Sequence, residues 1–163
     1  FTKVKSPAEV VVGTCKLVGG QEFPRNGFTD IALQPTYMGQ DLLNPPSVEG
    51  WHTGQEWINS GSLVKRINFV ADNVSNVDLP GVQSIIKRVA SNGTATTPEA
   101  LVDRCLDLMG PVEVSEQTRQ ELIAHAEEEG SISWASDEEY ANSSRHVGDM
   151  LALIAATTDY QFG

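Results

Sequence analysis

The chain has 163 residues, 40% hydrophobic and 20% charged, enough for one domain with at most a small appendage and for a core that needs no covalent staples. Eleven Lys and Arg stand against 22 Asp and Glu, a formal charge of -11. That surface repels phosphate backbones and anionic membranes, which argues against nucleic-acid binding, and it suits a cation or a basic partner. No stretch approaches the roughly 20 apolar residues of a membrane span. No signal peptide is visible, and the start at Phe1 without Met is read as a trimmed beginning.

In chain order the punctuation is helical. Ser6-Pro7-Ala8-Glu9 is a capping box with Pro at the first helical position, and Gly19-Gly20 stops the helix after Val18. A polar loop is expected over 21–27. A second helix is predicted from Asp30 to Leu43, broken or restarted at Pro35. Asn44-Pro45-Pro46-Ser47-Val48-Glu49-Gly50-Trp51 follows, read with the residues up to Trp57 as an extended, polyproline-like loop. A third helix starts near Ser60, with Leu63, Val64, Ile67 and Val70 as its apolar face.

Asp78 and Pro80 open a fourth helix, ended by Gly93. Thr97-Pro98-Glu99 opens a fifth, ended by Gly110, and Ser115 caps a sixth that runs to Gly130. Ser136-Asp137-Glu138-Glu139 reads as a second capping box, opening a last helix to about Thr157. The expected fold is therefore all-α: a single domain over 1–163, an irregular bundle of about seven helices with one long ordered Pro/Gly/Trp loop. Residues 90–97, small and polar, are a possible linker. Cys15 and Cys105 lie in apolar helical patterns. Two buried thiols are preferred to one disulfide, and the spacing offers no metal or redox motif.

The segment from Tyr37 to Val70 carries a resemblance. Gly39-Gln40, Pro45-Pro46, Gly50-Trp51, Trp57-Ile58-Asn59 and Arg66-Ile67-Asn68-Phe69 occur in the order found in the bacterial family numbered 1800 among domains of unknown function. Lys5-Ser6-Pro7-Ala8-Glu9 resembles that family's Lys-Ser-Pro-x-Glu element. Thr158-Asp159-Tyr160-Gln161 is similar, imperfectly, to its Ser-Pro-Glu-Tyr-Gln close. The resemblance implies the C-terminal part of a longer, exported bacterial protein. It implies no reaction and no catalytic residue.

Site chemistry is sparse. Trp51 and Trp57 offer either a stacking platform for sugars or a peptide, or anchors that pin the loop to the core; the anchor reading carries more weight. His52, Glu56 and Asn59 stand beside them, and Arg66 follows one turn into the helix, to tie loop carbonyls or a carboxylate such as Glu49 or Asp41. These six are the candidate ligand-binding residues.

Ser62-Leu63-Val64-Lys65 and Ser84-Ile85-Ile86-Lys87 both match S-x-x-K, but S-D-N, K-T-G and G-x-S-x-G are all missing, so chance explains them. His52, His125 and His146 form no ligand set for zinc, and no cofactor is implied. The leading expectation is a non-catalytic binding or assembly module acting with the rest of its polypeptide or a protein partner, with carbohydrate or peptide as further ligands. The alternative is one wall of a hydrolase whose catalytic groups lie mainly outside this chain.

Overall fold

A computed structural model describes residues 4–20, 28–51, 53–91, 93–130 and 132–162. The polar loop expected over 21–27, and His52, lie outside the described residues. Eight α-helices are present among those described: α1 Pro7–Val18, α2 Phe28–Tyr37, α3 Ser60–Val74, α4 Pro80–Ala90, α5 Pro98–Met109, α6 Glu116–Glu129, α7 Asp137–Ala156 and α8 Thr158–Phe162.

Five of these starts carry side-chain caps, whereas α4 begins after Leu79 without one and α2 begins at Phe28, two residues before the expected Asp30. Ser6 and Glu9 close a reciprocal box on α1. Asn59 and Ser62 close another on α3, which the sequence reading did not see because Ser replaces the usual acid. Thr97, Ser115 and Ser136 each accept the amide three residues on. At Ser136 the reciprocal half differs from a true box: Glu139 takes the Ser136 hydroxyl hydrogen, not its amide.

The fold is all-α with one small exception. Strands β1 Ala95–Thr96 and β2 Ile132–Ser133 pair antiparallel, Ala95 against Ser133 and Thr96 against Ile132. Two-residue strands carry no periodicity, so the pattern gave no sign of them. They fasten the expected linker. The Trp134 amide donates to the Thr94 carbonyl at 2.9 Å, and Trp134 Nε1 to Thr96 Oγ1 at 3.0 Å. One cluster of buried side chains spans both flanks of 90–97, from Val82, Ile86 and Val89 to Leu101, Val102 and Cys105.

α3 and α7 form the central pair, with α1 against α3 and α4, and α5 against α6 and α7. Close approach is built in by glycine. A Cβ on Gly81 would lie 2.0 Å from the Leu17 carbonyl, and one on Gly148 would lie 2.9 Å from that of Ser75.

Three expectations are corrected. α2 ends at Tyr37, six residues before Leu43, because the amide of Gln40 turns back to the Pro35 carbonyl (2.8 Å) through Gly39 at φ 94°. Pro35 sits inside the helix and does not break it. On α3 the buried stripe is Ser62, Arg66, Val70 and Val74, spaced by four, and Val64 is exposed. A short α8 continues the chain beyond Thr157. Cys15 and Cys105 are not joined in a disulfide; Cys15 is half-buried rather than buried, and burial pushes the Cys105 thiol up to about 12.

Candidate functional site

The described residues of the Pro/Gly/Trp segment, Met38 to Trp51 and Thr53 to Asn59, form a series of turns rather than an extended loop. The Asn44 amide donates to the Asp41 carbonyl (3.0 Å), and Asn44 Nδ2 to Asp41 Oδ2 (2.9 Å). The Gly50 amide donates to the Ser47 carbonyl, closing a second turn with a bridge between the two residues. Gly54–Trp57 is a single 3-10 turn.

Between its anchors the loop is turned outward. Leu42 and Leu43 form the middle of the first turn, and Leu43 is 97% exposed at φ 70°. Glycine or asparagine ordinarily takes that left-handed position. Val48 is fully exposed in the second turn, and Tyr37 is exposed at the loop's entry.

The loop's two ends are fastened. Gln40 is buried, and its Oε1 accepts the Ala8 amide at 2.9 Å. Trp57 is buried, and its carbonyl accepts the Ser62 hydroxyl at 2.7 Å. Trp57 thus anchors the loop and presents no ring face to solvent. Asn59 serves the α3 cap, and Ser62 is held by it, so the first S-x-x-K serine is a structural hydroxyl. Glu56 is exposed. Trp51 is half-buried, and its Nε1, wholly buried, has no hydrogen-bond acceptor among the described residues. An orphan donor of this kind costs about 1–3 kcal/mol.

Arg66 is the residue whose setting the sequence reading missed. It retains 1% of its surface, among the lowest for any side chain its size here. Its Nε donates to Gln161 Oε1 at 3.3 Å and its Nη1 to the Lys5 carbonyl at 2.9 Å. Gln161, also buried, passes its own Nε2 hydrogen to the Ala155 carbonyl at 2.7 Å. Neither Glu49 nor Asp41 reaches the guanidinium, and both are exposed. With neutral acceptors only, desolvation lowers the Arg66 pKa below the ordinary guanidinium range. A cavity of about 240 Å³ opens beside it, lined by Lys5, Glu9, Tyr160 and Gln161 among others, with Lys5 Nζ 5.2 Å from the centre of the Tyr160 ring.

Elsewhere the polar clusters are shallow. Ser133, Glu139, Asn142, Ser143 and His146 share one cleft, but the Ser143 hydroxyl is committed to the Ser133 carbonyl at 2.6 Å. His125 Nε2 lies 3.4 Å from Glu129 on the exposed side of α6. Among the described residues no three His, Cys, Asp or Glu converge on a point that could hold a metal. No described helix is long and apolar enough to cross a membrane.

The geometry defines a class: an all-α domain in which short elements from its start, middle and end are sewn together, with a turn-built apolar loop projecting from the seam. The chain belongs to the family described as "Protein of unknown function (DUF1800)", which matches residues 1–162. No curated protein and no solved structure matches it. The elements that carried the resemblance are the ones the structure joins: Lys5 and Ala8, Gln40, Trp57 to Asn59, Arg66 and Gln161.

Proposed function

We propose that this chain is a non-catalytic binding or assembly module of an exported bacterial protein, and that residues 41–49 are its docking element. The observation that carries the reading is Leu43: an apolar side chain held almost fully exposed, in a left-handed backbone position that costs a leucine about 1–2 kcal/mol. Strained, exposed residues on hydrogen-bonded turns persist where something outside the domain uses them. Leu42 and Val48 extend the apolar tip, and Asp41 and Glu49 flank it. With a chain charge of -11, the partner that fits is a protein surface with an apolar depression rimmed by Lys and Arg. The exported, bacterial setting rests on the family resemblance.

A photo-crosslinking residue at position 43 or 48 of the full chain, expressed in its native host, tests this. The expected result is one discrete adduct, to another protein or to a distant segment of the same polypeptide, at a level well above that from exposed position 121 on α6. Equal labelling from all three positions would overturn the proposal.

A further inference from the structure

An arginine has five N–H donors, and Arg66 uses one on Nε and one on Nη1. Its three remaining donors have no described partner, and no described carboxylate pairs with it, although the side chain is almost wholly removed from water. A buried cation without a counter-charge is costly, and partners supplying only dipoles offset part of that cost. The cavity beside Arg66 holds a second cation, the Lys5 ammonium, and the aromatic ring of Tyr160; Val10, Leu17 and Met109 give it apolar walls.

We propose that this cavity, framed by Arg66, Lys5 and Tyr160, is a binding site for a small organic monocarboxylate with a short aliphatic or aromatic body. A carboxylate oxygen can accept from the part of the guanidinium that keeps the residue's small exposure, with the Lys5 ammonium as a second cation beside it, and the walls suit an apolar tail. Glu9 also lines the cavity, and the chain is strongly acidic, so a doubly charged phosphate is disfavoured relative to a single negative charge. The site is separate from the projecting loop and does not depend on it.

The test is a titration of the isotopically labelled chain with sodium butyrate and sodium benzoate, followed by amide NMR at constant ionic strength. Butyramide and inorganic phosphate serve as controls. Saturable shifts are expected at Lys5, Gly13, Tyr160 and Gln161, with affinity in roughly the millimolar range for so few contact atoms. Arg66→Lys is expected to abolish binding, but Arg66 also supports the fold, so two milder variants carry the argument. Lys5→Gln keeps the backbone carbonyl that Arg66 uses and should weaken butyrate about two- to fivefold. Glu9→Gln preserves a capping-box acceptor and should tighten it about twofold or more. Butyramide shifting the same amides as strongly, phosphate displacing butyrate, no saturation by about 50 mM, or weaker binding in Glu9→Gln would each overturn the assignment.

Discussion

Arg66 Nε and Gln161 Oε1 meet at 3.3 Å across 95 residues of sequence, and the same guanidinium holds the Lys5 carbonyl 61 residues the other way. One side chain in the middle of α3 thus ties the entry to α1 to the final helix. The tie works by hydrogen bonding in a dry setting, where the cost of leaving a donor or acceptor empty exceeds the gain of making the bond.

Gln161→Ala should therefore be expensive for a residue in a five-residue helix. It strips partners from both Arg66 Nε and the Ala155 carbonyl, and a loss of about 2 kcal/mol is expected from two buried groups left unsatisfied. Urea unfolding of Gln161→Ala, Arg66→Met and the double variant measures it. The double variant should fall short of the sum of the singles by about 1 kcal/mol, because the two side chains share one bond. Strict additivity would mean the contact contributes nothing.

Two glycines make a paired prediction about packing. Gly81, at the start of α4, faces the Leu17 carbonyl so closely that a Cβ would stand 2.0 Å from it, and the obstacle is backbone that cannot swing aside. Gly81→Ala should cost about 2–3 kcal/mol or prevent folding. Gly13, inside α1, has no atom within 4 Å of the Cβ it lacks. Gly13→Ala should stabilise by roughly 0.5–1 kcal/mol, since alanine restricts the unfolded chain at no steric cost. Thermal melts of the two variants would move in opposite directions.

Most helices were legible because their ends are chemically marked. Ser6, Thr97, Ser115 and Ser136 each cap the helix assigned to them, and Gly19, Gly110 and Gly130 stand just past the ends. The interior of α3 was not. Periodicity assigns apolar residues to the buried face, which places Val64 inward and gives a tie-making Arg66 no place there, whereas the structure exposes Val64 and buries Arg66. What reverses them is a set of acceptors from residues 5 and 161, which no local window contains. The cavity beside Arg66 was hidden for the same reason. The loop was legible as unusual, through its prolines, glycines and tryptophans, but its turns depend on side-chain bonds such as that of Asn44 to Asp41.

Leu43 allows folding and docking to be separated. Leu43→Asn replaces a strained leucine by a residue that tolerates the left-handed region, and stability should rise by about 1 kcal/mol or less. The same change removes one of the two almost fully exposed apolar side chains of the tip, so crosslinking from position 48 should fall severalfold. A variant that is more stable and binds less is what a docking residue predicts. If stability drops instead, Leu43 is packed in solution and the loop is not what it appears in isolation.

The closing element also completes a cap on another helix. Ser115 caps α6, with its Oγ accepting the Thr118 amide, but the acid that would complete a capping box comes from α8: Asp159 Oδ2 accepts the Ser115 amide at 2.9 Å and the Thr118 hydroxyl at 2.7 Å. The Ser115 backbone bond, then the Thr118 hydroxyl, hold the Asp159 carboxyl below its ordinary 3.8. A carboxyl depressed in the folded state stabilises above its unfolded pKa, and that contribution fades as pH falls from there through the lower, folded value. Asp159→Asn should consequently cost about 1 kcal/mol near neutral pH. Because Asn carries no charge at any pH, the gap between variant and parent should close as the pH is lowered through 3.8 toward about 2. Urea midpoints of the two proteins across that range decide the matter, and a gap that stays constant with pH would show that the carboxylate charge plays no part in the cap.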